Sequence, residues 1–227
     1  MKRLNVFCEG PTEQGFCRQV LQPHLFPNGD GIVLTLAVGS KDHHHVYGIG
    51  RKRFEKVRKF ILKTIKQRSA PRTYFTTMFD LYALSDDFPG KDANTRNAAN
   101  PEPFVNALEN AFVEDIGCEN FLPYLQLHEY ETLLFSEPDA FAIAFENCGR
   151  AVSKLNEIAA SFPTVEHIND GRESAPSKRI ISAIPEYGGR KTSAGPDIAE
   201  YIGIQIIRSK CPHFHAWLVA LENLPWT

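Results

Sequence analysis

The sequence predicts an α/β fold: a four-stranded, mainly parallel sheet flanked by helices, followed by a C-terminal helical extension. Three observations predict it. Up to about Phe135, apolar runs alternate with helix-period stretches in the order β-α-β-α-β-α-β, the pattern of a parallel sheet with crossover helices. From Pro138 onward, strand patterns give way to short helical ones. Acidic residues recur where strands end: Glu9, Asp80, and Glu129 with Glu131. The expected boundaries are residues 1–136 for the sheet core and 137–227 for the extension. No Pro/Gly linker divides them, so one packed unit is expected.

The first element is the apolar run Leu4 to Cys8, cut at Glu9 and followed by Gly10-Pro11. This reads as buried strand, tight turn and helix, with proline in the first helical turn where a missing N–H costs nothing. The helix extends over roughly Pro11 to Leu25. Glu9 then stands where ligands bind in open α/β sheets, beside a glycine that allows close backbone approach. Glu13 reads as the complement of a helix dipole. A second strand covers Ile32 to Val38. His43, His44 and His45 follow and read as a solvated loop, because adjacent side chains diverge on any regular element.

Arg51 to Arg68 is a basic helix, with nine of the chain's 25 basic residues against one acid, Glu55. Phe54, Val57, Ile61 and Ile65 form its apolar stripe. Lys52, Arg53, Lys56 and Lys59 are candidate phosphate contacts; the alternative is a solvated charged face. A third strand, Arg72 to Phe79, ends at Asp80. A long polar loop containing Asp86 and Asp87 follows, of the length that is more often functional than inert. Glu102 to Ile116 reads as helix, with Phe104, Leu108, Ala111 and Phe112 inward, and Phe121 to Leu127 as the fourth strand. Beyond it, helices are expected over Asp139–Glu146, Ala151–Phe162, Ser174–Ile184, Ala194–Tyr201 and His213–Leu224. Ile204 to Ile207 is the one later segment with strand character.

Composition narrows the function. Net charge is −2, so affinity for nucleic acid must come from local patches. The five cysteines are odd in number, widely spaced and without CxxC, which argues against a disulfide framework or structural zinc and for reduced thiols in a cytoplasmic protein. No apolar stretch approaches membrane-spanning length. GxSxG, Walker A and GxGxxG are absent, and Thr132 stands where HExxH would need its second histidine.

Carboxylates gathered at one sheet edge repel one another unless a cation neutralises them or one keeps a proton. Oxygen donors favour Mg²⁺ or Mn²⁺ over zinc. Beside a basic helix, such a cluster suits phosphodiester chemistry. Pro176-Ser177-Lys178-Arg179, at a helix start, has the chemistry of an anion site, its alternative being an ordinary capped helix.

The same residues carry a family resemblance. Glu9-Gly10-Pro11-Thr12-Glu13, Thr77-Met78-Phe79-Asp80-Leu81-Tyr82 and His128-Glu129-Tyr130-Glu131-Thr132-Leu133-Leu134-Phe135 resemble the signature of domain-of-unknown-function family 4276. Ile168-Asn169-Asp170, Ala175 to Arg179 and Cys211-Pro212-His213-Phe214 fit it as well. That family is regarded as similar to the Toprim fold of topoisomerases, primases and related nucleases, and often accompanies an ATPase in prokaryotic defence clusters.

The resemblance therefore implies a Toprim-like core. It makes Glu9 the general acid/base and Asp80 the first aspartate of an Asp-x-Asp metal motif. The second aspartate falls on Tyr82, leaving Asp86, Asp87, Glu129 or Glu131 to substitute. The expected function is a Mg²⁺- or Mn²⁺-dependent nuclease acting on DNA or RNA, working with an ATPase partner in antiphage defence. Its catalytic residues would be Glu9 and Lys178. Glu9, Asp80, Asp86, Asp87, Glu129 and Glu131 are the candidate metal ligands, and Lys178 and Arg179 would steady phosphate. The alternative is a non-catalytic Toprim-like subunit that binds a partner protein or nucleic acid. Oligomeric state is left open, a homo-oligomer included.

Overall fold

A computed structural model describes residues 1–38, 54–94, 100–168, 171 and 174–226. Its sheet is parallel throughout, in the order β2-β1-β3-β4, with β5 also paired to β3. The strands are β1 (Lys2–Cys8), β2 (Gly31–Ala37), β3 (Thr73–Asp80), β4 (Phe121–Leu122) and β5 (Leu125–Gln126). The chain leaves β1 towards β2, then crosses back over β1 to form β3. The strand order reverses at that point, and ligands of open α/β sheets bind outside the carboxyl ends of the strands there. Glu9 and Asp80 stand at those two ends.

Both faces of the sheet are covered, which explains the continuous apolar run in β1. Leu4, Val6 and Cys8 pack on one face with Phe16, Ile198 and Phe214. Phe7 packs on the other with Ile61, Phe75 and Phe79. The first helix lies on the former face and the basic helix α3 (Phe54–Arg68) on the latter. α3 buries the stripe expected of it, Phe54, Val57, Ile61 and Ile65, together with Thr64.

Two predicted elements are interrupted. The first helix runs as α1 (Pro11–Phe16), a π-helical stretch Cys17–Leu21 and α2 (Gln22–Leu25). Pro23 has no N–H to continue the α-ladder, and the chain spreads into a π-turn just before it, with the Gln22 N–H on the Cys17 carbonyl. The fourth strand divides into β4 and β5. Both pieces pair with β3 in one register, Phe75↔Phe121 and Phe79↔Leu125. Between them Pro123 lacks a donor, and the Thr77 hydroxyl takes over the pairing. It accepts the Tyr124 N–H and donates to the Tyr124 carbonyl, both at 2.8 Å.

The helix α4 (Glu102–Ile116) ends at Gly117 with φ +60°. The remainder is helical: α5 (Gly149–Ala160), α6 (Pro176–Ala183), α7 (Tyr187–Ile202), α8 (Ile204–Lys210) and α9 (Pro212–Glu222). Residues 204–207 are therefore helix, not strand. Ile204 and Ile207 point inward at helical spacing while Ile206 is exposed, a 3.6-residue pattern that a short Ile-rich run disguises. α7 begins seven residues earlier than its apolar pattern predicts, because Gly188, Gly189 and Pro196 depress its helical signal.

α7 lies against α1 at backbone distance. A β-carbon on Gly15 would stand 2.5 Å from Pro196 Cγ, and one on Gly195 would stand 3.2 Å from both Thr12 Cγ2 and Tyr130 Cε1. This contact brings the first turn of α7 over the end of β1. α9 is fixed to the sheet by the Trp217 indole N–H, which donates to Thr76 Oγ1 at 2.9 Å. One apolar cluster thus runs from β1 into the helical region.

Candidate active site

A cleft of about 450 Å³ opens at the carboxyl ends of β1 and β3. Five carboxylates line it: Glu9, Glu13, Asp80, Glu129 and Glu131. Lys191 is the one basic residue among the described residues lining it. Gly10, Pro11 and Thr12 contribute the start of α1, and Gly188, Gly189 and Thr192 the start of α7.

Each acid arrives by a different local device. Glu9 follows the last residue of β1, and its Oε1 accepts the Asp80 N–H at 2.9 Å, tying the ends of the two central strands together. Glu13 reaches back one turn to accept the Gly10 N–H at 2.8 Å. That is the helix-start role its sequence predicts, performed with a carboxylate that also faces the cleft. Asp80 ends β3, and no hydrogen bond reaches its carboxylate among the described residues. Glu129 follows His128, whose φ of +64° is a left-handed conformation rarely adopted outside glycine. Its Oε1 accepts the Ser177 N–H at the start of α6. Glu131 Oε1 receives Lys191 Nζ at 3.0 Å and the Tyr187 hydroxyl at 3.2 Å.

The electrostatics follow from crowding charge in a poorly hydrated space. Burial, and then Glu13, raise the Glu9 pKa well above the usual glutamate value, against the opposing Asp80 N–H. Burial likewise raises Asp80 strongly, reinforced by Glu9, Glu13, Glu129 and Glu131. Glu13 and Glu129 are pushed up to about 7, mainly by burial and with help from Glu131. Burial opposes the charge of Lys191, but Glu131, Glu129 and Asp80 outweigh it and raise its pKa. Burial raises the Tyr130 phenol too, as do Glu13 and Glu131.

Of the acids singled out in the sequence, Glu9, Asp80, Glu129 and Glu131 meet in the cleft, and Asp86 and Asp87 do not. Asp86 is exposed and pairs with Lys91 at 3.4 Å. Asp87 Oδ1 accepts the Phe54 N–H at 3.1 Å at the start of α3, so it serves a helix end. Tyr82, in the second position of the Asp-x-Asp pattern, is 50% exposed and outside the cleft lining.

The basic candidates that fall among the described residues, Lys56, Lys59, Lys178 and Arg179, also lie outside the cleft lining. Lys178 is exposed on α6. The Arg179 Nε–H donates to the Ser174 carbonyl at 2.6 Å, and its guanidinium covers the Phe162 ring. Lys56 and Lys59 are exposed on α3, Lys59 paired with Glu55 at 2.6 Å. Lys52, Arg53 and the three histidines at 43–45 fall outside the described residues.

Sequence reasoning missed Tyr130, Lys191 and the first turn of α7 as parts of the site. Tyr130 stands between Glu129 and Glu131, and its aromatic side chain reads as core rather than as part of an acidic site. Lys191 follows Gly188-Gly189, a pair that reads as loop. A signal was present in the spacing: a lysine two residues after a glycine pair, ahead of apolar residues at helical intervals, is compatible with a helix start.

Chemically, the donor set is all oxygen and over-supplied with negative charge, which suits a hard divalent cation. Among the described residues, no three His, Cys, Asp or Glu side chains stand in an arrangement that holds a metal ion. The acids are gathered at one cleft without being closed around a common point.

A family model described as "Domain of unknown function (DUF4276)" matches residues 8–222. No curated protein and no solved structure gives a significant match to the chain. No helix among the described residues is long and apolar enough to cross a membrane.

Proposed function

The chain belongs to the DUF4276 family, and we propose that it is a Mg²⁺- or Mn²⁺-dependent nuclease, hydrolysing phosphodiester bonds of DNA or RNA in the cleft at the ends of β1 and β3. The observation that carries this reading is the convergence of Glu9, Asp80, Glu129 and Glu131, from separate strand ends, on one cleft beside Lys191. Five acids around a single cation are stabilised by a divalent ion, and binding one is the simplest use of so much unrelieved repulsion. The resemblance adds an ATPase partner and a role in antiphage defence to the same proposal.

Asp80, Glu129 and Glu131 would have to draw together from their present open arrangement to hold the ion. When bound, it would polarise a phosphoryl oxygen and lower the pKa of a water. The chain's own residues supply the proton transfers. Glu9, whose carboxyl burial and Glu13 bias towards the protonated form, has the chemistry to donate a proton to the leaving oxygen. The Asp80 N–H fixes the orientation of its carboxyl. Lys191 has the charge and position to balance phosphate. Lys178, outside the cleft lining, is reassigned from catalysis to approach of the strand.

α3 adds a track for the phosphate backbone. Lys56, Lys59, Lys63 and Lys66 are exposed, and their spacing puts them on one face opposite the buried stripe. Ten residue steps separate Lys56 from Lys66, about 15 Å of helix. In a β-α-β unit the crossover helix runs antiparallel to its strands, so α3 starts at the same sheet edge as the cleft.

The test is incubation of the purified protein, with and without its ATPase, with plasmid DNA and structured RNA in Mg²⁺ or Mn²⁺. Cleavage is expected, reduced by at least about 100-fold in Glu9→Gln, the usual scale for a proton-transfer group. Intact nucleic acid under every condition would sink the reading.

A second reading is favoured by Tyr82 and by the open arrangement of the acids. It is a non-catalytic subunit whose cleft binds a partner protein or nucleic acid. Calorimetry separates the two: Mn²⁺ binding lost in Asp80→Ala supports the enzyme, and no binding at millimolar Mn²⁺ supports the subunit.

A further inference from the structure

Lys191 and Tyr187 stand four residues apart on α7, so their side chains share one face of the helix. They converge on a single atom. Lys191 Nζ lies 3.0 Å from Glu131 Oε1, and the Tyr187 hydroxyl donates to the same oxygen from 3.2 Å. A carboxylate oxygen offers two lone pairs, and these two donors take both. Glu131 is itself buried, and it lines the cleft with Asp80 and Glu129.

The two donors are held with different firmness. Tyr187 is fully buried, and Phe141 and Phe145 meet its ring edge-on at 5.8 and 6.3 Å between centroids. The Lys191 side chain is one-third exposed and carries its charge on a flexible four-carbon stem. Tyr187 is therefore fixed, and Lys191 is the donor able to leave. Its departure alone would strand a buried charge on Glu131, which is strongly destabilising. The ammonium leaves readily only when another cation takes its place.

A divalent ion that used Glu131 would meet this lysine by either route. Through Oε1 it has to take the place of a donor. Through the other oxygen it meets the like charge of the ammonium within a few ångströms, where repulsion is large in a poorly hydrated space. We propose that Lys191 is a tethered counter-cation that competes with the divalent ion: it holds Glu131 while the cleft is metal-free and is displaced when the ion binds, with Tyr187 keeping Glu131 oriented throughout. The open arrangement of the acids is then the lysine-bound form of the cleft. This rests on the metal-binding part of the nuclease reading and adds an order to it. The ammonium is free to balance a phosphate only once the metal is in place.

The test compares calorimetric Mn²⁺ binding by the unaltered protein and by Lys191→Met, which keeps an unbranched stem and removes the charge. The expected result is binding at least about tenfold tighter in the variant, the scale of removing a like charge a few ångströms from the ion. A second measurement needs no variant. Acetic anhydride labelling, read residue by residue by mass spectrometry, should modify Lys191 more with saturating Mn²⁺ than without, while the exposed Lys63 of α3 stays level. Equal or weaker Mn²⁺ affinity in Lys191→Met overturns the proposal, and so does labelling of Lys191 that Mn²⁺ leaves unchanged or lowers. Binding by Lys191→Met alone supports it, the lysine then keeping the native cleft closed to metal; binding by neither protein overturns it. Tighter binding in Lys191→Met by a protein that leaves DNA and RNA intact keeps the competition and rejects the nuclease. Metal-dependent cleavage with unchanged affinity in Lys191→Met does the reverse.

Discussion

Two buried acidic groups in this molecule have opposite characters. Behind the sheet edge, Glu166 is completely buried, more so than any acid in the cleft. Its two oxygens accept the His213 and Phe214 N–H groups, at 2.8 and 3.0 Å, at the start of α9. Nearby, Glu109 Oε1 takes the Leu125 N–H at 2.8 Å and His213 Nε2 at 3.0 Å. Burial works against the charge of His213, but Glu109 and Glu166 prevail and raise its pKa. Acids and donors are matched there, and the ring of His213 stacks on Tyr124. In the cleft, among the described residues, five acids share one lysine. Depth of burial therefore does not distinguish a structural acid from a ligand-binding one. The balance of partners does.

The strongest way to break this comparison is to neutralise one acid in each group. Asp80→Asn removes a charge that repels four neighbours, so the metal-free protein should resist urea as well as before or better. Cleavage should fall by at least about 100-fold, and Mn²⁺ binding should be lost. Glu166→Ala should do the opposite. Two buried N–H groups lose their acceptor, costing about 2–3 kcal/mol in urea unfolding, while metal binding by the folded protein is kept. If Asp80→Asn is the destabilised variant, the cleft acids are structural and the distinction fails.

A smaller effect should appear in pH dependence. Glu13, Glu129 and Glu166 all have pKa values near 7 in the folded chain, against 4.5 as the ordinary value. A carboxyl with a raised folded pKa binds more protons folded than unfolded between those limits. Its contribution is present below about 4.5 and is lost as pH rises through 7. Each group can account for at most on the order of 3 kcal/mol, and the two cleft groups are not independent. The metal-free melting temperature should therefore decline between pH 5 and about 7.5, and Glu13→Gln or Glu166→Gln should each flatten the decline. Saturating Mn²⁺ then sharpens the contrast. It should abolish the share carried by the cleft acids and leave that of Glu166. A decline indifferent to Mn²⁺ would put all three in one class.

Much of this contrast was legible in the sequence on the sheet side only. The apolar run ending at Glu9, the β-branched run ending at Asp80 and the acidic pair after Leu127 follow from strand patterning, which is local. The pairing of these ends is fixed by the crossover over β1, which β-α-β order implies. Asp86 and Asp87 looked equivalent to Glu129 and Glu131, because proximity in sequence to a strand end does not reveal that Asp87 is committed to the Phe54 N–H. Lys191 and Tyr130 were hidden for another reason. Their place depends on α7 docking on α1 through Gly15, Gly195 and Pro196, a long-range fit of small residues that leaves no periodic signal. The break in the fourth strand turns on a single hydroxyl, Thr77, and is equally invisible to patterning.

The smallest expected effect concerns the third charged region, the exposed face of α3. Here cations exceed partners, as acids do in the cleft, but the surplus is in water and little is gained or lost by folding. Lys59 is tied to Glu55, and Arg58 Nε to Asp115 Oδ2 at 2.6 Å. Lys56, Lys63 and Lys66 form no ion pair among the described residues. Reversing one of these three to glutamate should change stability by no more than about 0.5 kcal/mol, as exposed substitutions do. For nucleic-acid binding, each lysine that neutralises a phosphate adds about 0.9 to the slope of log affinity against log salt on duplex DNA. Each reversal should therefore lower that slope by about one, with Lys59 giving less because its charge is already shared. Filter binding at several salt concentrations, using the inactive Glu9→Gln variant to keep the substrate whole, would read it. A slope unmoved by Lys56→Glu, Lys63→Glu and Lys66→Glu together would mean that the polyanion does not lie along α3. Lys191 would then be the remaining candidate phosphate contact among the described residues lining the cleft.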